Sequence, residues 1–141
     1  MLINKTMDAI KLKLKDLQPS QFYISEKKLI NIKKWFNPAN LSNFEPIPIK
    51  VLDDKPVITD GHTRAVAAIM AGLDVVPIVL DTDELDWDMY RACVKACHDQ
   101  NIHSPMDLVD RIISEEDYKE KWDAWCDDLH NEMIRKRNEY L

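Results

Sequence analysis

With 141 residues, 45% of them hydrophobic and 31% charged, the chain has enough apolar material for one domain with a sizeable core. No apolar run approaches the roughly 20 residues of a membrane-spanning helix, and the opening Met1-Leu2-Ile3-Asn4-Lys5 lacks the apolar region of a secretory signal, so a cytoplasmic protein that meets no membrane is expected. The net charge of −6 divides unevenly: residues 1–50 carry nine Lys against four acids, and residues 51–141 carry ten Lys and Arg against 21 acids, which makes DNA a poor partner for most of the chain.

Lys11-Leu12-Lys13-Leu14-Lys15 alternates polar and apolar residues, the pattern of a half-buried strand, and Pro19-Ser20-Gln21 ends it. Ser25, followed by Glu26 and Lys28, can cap a helix carrying Leu29, Ile32, Trp35 and Phe36, which Pro38 stops. Residues 37–46 read as loop. Ile47, Ile49 and Val51 alternate again, Asp53-Asp54-Lys55 turns, and Pro56-Val57-Ile58-Thr59 returns as a hairpin, with Pro48 best placed near the start or edge of its strand. Ala65 to Ala71 is apolar nearly all round and predicts a buried helix, with Gly72 at its C-terminal end. Val75 to Leu80 is a strand-length apolar run, so strand, helix and strand form a βαβ unit, whose crossover is normally right-handed.

Beyond Leu80 the chain turns helical and acidic. Met89, Tyr90, Cys93, Val94 and Cys97 predict an amphipathic helix over Trp87 to Gln100. Ser104-Pro105 opens a short helix through Leu108 and Ile112. Ser114, with Asp117 three residues on, starts a long helix whose face is Tyr118, Trp122, Trp125, Cys126, Leu129 and Met133, fraying over Arg135 to Tyr140. The predicted class is α+β: a small mixed sheet with a buried βαβ helix over residues 1–81, plus an acidic helical extension over 82–141 packed on the same domain.

Asp60-Gly61-His62-Thr63-Arg64 falls where the hairpin hands over to the buried helix. The first turn of a helix has N–H groups without intrahelical partners and a partial positive charge, which suits phosphate. Gly61 lets a ligand approach the backbone, Arg64 can fork onto phosphate, and His62 can move a proton near neutral pH. Asp60 repels a bare phosphate but could hold a bridging Mg²⁺ or act as a base on an incoming hydroxyl. The same letters also fit a purely structural Asp-Gly turn with Asp60 as cap, His62 at the surface and Arg64 paired to an acid.

The Asp60 to Arg64 turn, its Ala-rich helix, Gly72, Val76-Pro77-Ile78 and the preceding Pro19-Ser20-Gln21 resemble the ParB/sulfiredoxin-like superfamily over residues 10–81. That superfamily carries a Gly-x-x-Arg core at this turn, as Gly-Glu-Arg-Arg in chromosome-partitioning CTPases and Gly-Cys-His-Arg in sulfiredoxins. The resemblance implies a nucleotide-binding or other phosphate-binding protein, with Gly61 and Arg64 matching the phosphate positions, Thr63 beside them at the ligand although it departs from the motif residue of both families, and Ser20 and Gln21 folding over the ligand. A nucleoside triphosphate or diphosphate with Mg²⁺ is the implied cofactor. Asp60 and His62 would then be the catalytic pair of a phosphotransferase or nucleotide hydrolase. His62 stands where sulfiredoxins have their reactive cysteine, so peroxiredoxin repair is not expected. Residues 82–141 show no helix-turn-helix with basic recognition residues, so a complete partitioning protein is not expected either.

Other clusters admit blander readings. Cys93, Cys97, His98 and His103 lie close in sequence, but the Cys-x-x-Cys spacing of a zinc knuckle is missing, so core cysteines in a reducing compartment are expected and no metal site. Tyr118, Trp122 and Trp125 could stack bases, yet their helical spacing with Leu129 reads as core. Asp81, Asp83, Glu84, Asp86 and Asp88 read as a solvated helix start. The lysines at 11, 13, 15, 27, 28, 33 and 34 read as a solvated face, with a DNA-binding or nuclease strip as the minor alternative. A non-enzymatic regulatory or adaptor module, binding a protein partner through the acidic helices, is the competing function.

Overall fold

A computed structural model describes residues 10–139, so the opening Met1 to Lys5 stretch and Tyr140 lie outside the described residues. The chain is α+β, as its sequence predicts. Its elements are β1 (Lys11–Lys13), β2 (Ile24–Ser25), α1 (Glu26–Lys33), β3 (Ile47–Leu52), β4 (Lys55–Ile58), α2 (His62–Met70), β5 (Val75–Leu80), α3 (Trp87–Asp99), β6 (Ile112–Ile113), α4 (Glu115–Tyr118) and α5 (Ala124–Asn138). A π-helical turn, Lys119–Asp123, joins α4 to α5.

The main sheet runs β1-β5-β3-β4 and is mixed. The strand, helix, strand order over β4, α2 and β5 holds, but β4 and β5 are not neighbours. Both flank β3, antiparallel on the β4 side and parallel on the β5 side. The parallel pair joined by the crossover is therefore β3 and β5, reached through the hairpin and α2. Asp53 and Asp54 both take positive φ, 52° and 66°, the two-residue turn whose twist matches that of its flanking strands. Pro48 is the second residue of β3, an interior strand, near its start as expected but not at a sheet edge.

The inward side chains Ile47, Ile49, Ile58, Val76 and Ile78 pack with Leu14, Leu17, Phe44, Ala65 and Ala68 in the first core. Val51 shares their phase but is 56% exposed, while Leu52 is buried. Leu52 and Val57 lie on the opposite face of the hairpin, where they share a pocket with Arg91 and Val94 of α3. The expected third inward residue of β3 is thus replaced by one on the other face.

A second core explains why α2 is apolar nearly all round. Val66 turns away from Ala65 and Ala68 and packs with Phe22, Ile24, Cys93, Cys97, Ile102, Leu108, Tyr118 and Trp122. Phe22 meets both Trp122 and Trp125 edge to face, with centroids at 4.8 and 4.9 Å. Buried Gln18 stitches the same seam: its Nε2 donates to the Ile102 carbonyl (3.0 Å) and its Oε1 accepts from His98 Nε2 (2.8 Å).

Local signals set the helix ends. Ser25 Oγ accepts from Lys28 N–H and Ser114 Oγ from Asp117 N–H, satisfying first-turn donors. At the end of α2, Gly72 (φ 83°) donates to Ile69 O and Leu73 N–H to Ala68 O, both 3.0 Å, the paired bonds of a glycine-terminated helix. Three expectations need correction. Helix α1 ends at Lys33, and Trp35 and Phe36 continue only as a turn whose N–H groups reach Ile32 O. The helix expected through Leu108 and Ile112 is a 3₁₀ turn, Pro105–Leu108, followed by β6, because Ile112 and Ile113 pair in parallel with Ile24 and Ser25. The C-terminal helix does not fray at Arg135. It continues to Asn138, held by Arg135 to Glu139 and by two bonds from Arg137 to Asp86.

Candidate functional site

The turn between β4 and α2 is held from both sides. Thr59 N–H donates to Pro48 O (3.0 Å), and its hydroxyl donates to Asp81 Oδ2 (2.7 Å), anchoring the end of β4 to the start of the acidic run. Asp60 is exposed, and its Oδ1 accepts from Gly61 N–H at 2.8 Å. Gly61 has φ 84°, so the left-handed residue occupies the N-cap position and α2 begins at His62. The first intrahelical bond runs from Ala65 N–H to Gly61 O (3.0 Å), which leaves the N–H groups of His62, Thr63 and Arg64 without intrahelical partners.

Arg64 folds back over this turn. A β-carbon on Gly61 would lie 2.9 Å from Arg64 Cζ and 3.0 Å from Nε, so the guanidinium packs on the face of the glycine that a side chain would otherwise occupy. Nη1 donates to the Glu45 carbonyl at 2.7 Å and stands 3.9 Å from the Glu45 carboxylate. The side chain is thereby held across the turn.

His62 is buried rather than at the surface. Ser20 N–H donates to its Nε2 at 2.9 Å, and burial pulls its pKa from 6.5 down to about 3. The imidazole is neutral at physiological pH, and an Nε2 acceptor places the ring proton on Nδ1. Its chemistry here is that of a fixed hydrogen-bond donor, not of a group that exchanges a proton near pH 7.

Asp60, Gly61, His62, Thr63, Arg64 and Gln21 line one open cleft of about 390 Å³. Ser20 does not line it. Its N–H holds His62 and its hydroxyl donates to Ile58 O (2.6 Å). Five further residues complete the cleft: Lys28, Asn31 and Ile32 from α1, Glu45 from the loop before β3, and Tyr118 at the end of α4. Lys28 Nζ sits 4.9 Å above the Tyr118 ring, and Gln21 Nε2 donates to the Tyr118 hydroxyl at 3.0 Å. Burial pushes the Tyr118 phenol well above its ordinary range, so it is un-ionised. In sequence, Lys28 is one member of a lysine-rich stretch and Tyr118 one member of an aromatic helix face. Nothing in the linear pattern joins them, because the β2–β6 pairing brings them together.

The remaining candidates lie elsewhere. Asp86 caps α3 through Met89 N–H, and the Arg137 guanidinium holds its carboxyl below the usual range. Cys93 and Cys97 belong to the second core, where burial raises their thiols to about 11 and about 12. His98 and His103 lie with ring centroids at 5.0 Å and planes tilted by 31°. Among the described residues no group of three or more His, Cys, Asp or Glu is placed to hold a metal ion, and no helix is long and apolar enough to cross a membrane.

No family model matches the chain, and no curated protein matches it. Among solved structures, protein Atu1540 from Agrobacterium tumefaciens is similar with a TM-score of 0.41 and 17% identity, over 65% of this chain and 47% of that one. The chain thus spans about half the length of that protein.

Proposed function

We propose that the chain binds a phosphorylated small molecule, a nucleoside diphosphate or triphosphate foremost, at the N-terminus of α2, as its resemblance to the ParB/sulfiredoxin-like superfamily implies. The observation that carries this reading is the joint placement of the Arg64 guanidinium, packed on left-handed Gly61, with Lys28 and the free first-turn N–H groups around one cleft. Each is a donor to phosphate oxygen, and the two side chains lie on separate elements, so they can grip an anion from two sides. Asp60 and Glu45 on the same cleft disfavour a bare, highly charged anion. A Mg²⁺ carried in by the nucleotide would relieve this, resting on the ligand's own oxygens and Asp60. Where Asp60 does not hold that ion, it is the exposed base available to a hydroxyl or water in phosphoryl transfer or hydrolysis, and His62 contributes a neutral N–H donor.

The test is thermal unfolding with ATP, ADP, CTP and GTP, each with and without Mg²⁺, on the wild type, Arg64→Ala and Lys28→Ala. A ligand at about 100 times its Kd adds about 2.7 kcal/mol of stability, a rise of several degrees for a chain of this size. The rise is expected to disappear in Arg64→Ala and to shrink in Lys28→Ala, whose side chain leaves the core untouched. An equal rise in all three proteins would sink the reading.

A further inference from the structure

Behind His62 and Gln21 lies a second chamber of about 220 Å³ that shares both residues with the cleft. Its remaining wall is mostly apolar and aromatic: Met89, Tyr90 and Cys93 of α3, Trp122 of the π-helical turn and Cys126 of α5. No Asp, Glu, Lys or Arg lines it, so it suits an uncharged group and not a phosphate. Its hydroxyls are already engaged, Ser20 Oγ with Ile58 O and Tyr90 Oη with Thr59 O (3.1 Å). The Trp122 ring is fixed by stacking on Trp125 at 5.6 Å and by the edge of Phe22. Tyr118, at the end of α4, borders the cleft, and Trp122, within the π-helical turn that follows, borders the chamber; such a distortion is found often at functional positions.

One polar group in this wall lacks a partner. His62 is 5% exposed, its Nε2 is satisfied by Ser20, and its Nδ1–H meets no acceptor among the described residues. No sealed side-chain nitrogen or oxygen is left unpartnered among those residues, so Nδ1 opens onto the cavity space at whose junction it stands. Open to the cavity, the Nδ1–H is free to donate to a water or to an acceptor on a bound ligand.

We infer that cleft and chamber form one two-part site for a nucleotide, with the phosphates at Gly61, Lys28 and Arg64, the aromatic base against Trp122 in the chamber, and the His62 Nδ1–H donating at the junction. This rests on the phosphate reading above and adds the seat of the base, the chamber walled by α3, Trp122 and Cys126, which makes a phosphorylated molecule bearing a flat aromatic ring a better ligand than a sugar phosphate or polyphosphate. The chamber alone falls below the roughly 300 Å³ at which small-molecule sites begin, whereas joined to the cleft it enters that range.

The experiment compares tripolyphosphate with ATP, GTP, CTP and UTP, all with Mg²⁺, by calorimetric titration and tryptophan emission on the wild type, Cys126→Phe and Arg64→Ala. At least one nucleotide is expected to bind about tenfold or more tighter than tripolyphosphate, the scale of base stacking on an aromatic side chain, and to quench emission where tripolyphosphate does not. Cys126→Phe, which fills the chamber, should bring that nucleotide down to the tripolyphosphate affinity and leave tripolyphosphate itself unchanged. Tripolyphosphate binding that Arg64→Ala abolishes, with no gain from any base, overturns the chamber and leaves the phosphate reading standing. Binding by neither class overturns both. Should Cys126→Phe fail to fold, the wild-type affinity ratio and the emission change decide alone.

Discussion

Replacing Gly61 with Ala perturbs two things that Gly72→Ala perturbs only in part. Both glycines hold a left-handed backbone, φ 84° and 83°, a conformation that costs a residue with a β-carbon about 1–2 kcal/mol. Around Gly72 nothing lies within 4 Å of the added carbon, so backbone strain is the whole effect. At Gly61 the carbon would fall 2.9 Å from Arg64 Cζ, and the guanidinium must shift off the turn. With it goes the 2.7 Å bond to the Glu45 carbonyl, a charged hydrogen bond of about 1.5–3 kcal/mol in a side chain 13% exposed. The entropy that Ala removes from the unfolded chain is shared by both variants and cancels. Gly61→Ala is therefore expected to cost about 2–4 kcal/mol and Gly72→Ala about 1 kcal/mol, which at this length separates their midpoints by several degrees. Differential scanning calorimetry measures the two costs, and the double variant Gly61→Ala/Arg64→Ala should lose, beyond Arg64→Ala, only the backbone strain of about 1 kcal/mol that Gly72→Ala also shows. Equal costs for the two glycines, with nucleotide binding kept by Gly61→Ala, would refute the packing of Arg64 on Gly61.

Buried His62 ties stability to pH. Its folded pKa of about 3 lies below its ordinary 6.5, so the unfolded chain takes up the proton first and stability falls as pH drops below 6.5. About 2 kcal/mol should be lost at pH 5 relative to pH 7.5. His62→Gln, whose side-chain carbonyl can still accept from Ser20 N–H, should flatten that part of a urea-denaturation pH series, and an unflattened series would contradict the neutral assignment. Phe22, wedged against Trp122 and Trp125, ties the N-terminal half to the extension; Phe22→Ala should cost about 3–5 kcal/mol in a single denaturant transition, whereas two separate transitions would show that the halves unfold independently. Alkylation at pH 8 should be slow at Cys93, Cys97 and Cys126, whose thiols burial raises to about 11 or 12, and should accelerate only as urea unfolds the chain. A fast-reacting thiol in the native protein would be incompatible with that burial.

Much of the fold is legible in the sequence because its signals are local. Ser25 and Ser114 cap helices, Gly72 ends one, Val75 to Leu80 forms a strand, and the three- and four-residue spacing of Cys93 and Cys97 marks one buried helix face. Each depends on neighbours within about one helical turn or on strand alternation, and both periods are written in the chain. Asp60 to Arg64 stands out for the same reason, as a polar turn opening an apolar helix. What the tertiary structure alone decided is everything that depends on segments distant in sequence. Ile112 and Ile113 are strand residues only because Ile24 and Ser25 lie beside them. Tyr118 reaches the cleft through Gln21, 97 residues away. The Val51 phase fails because Leu52, on the opposite face of the hairpin, meets α3. His62 carries the sequence pattern of a titrating surface group, but its protonation follows from desolvation and the Ser20 N–H. These are properties of the surrounding volume, which no run of neighbouring letters encodes.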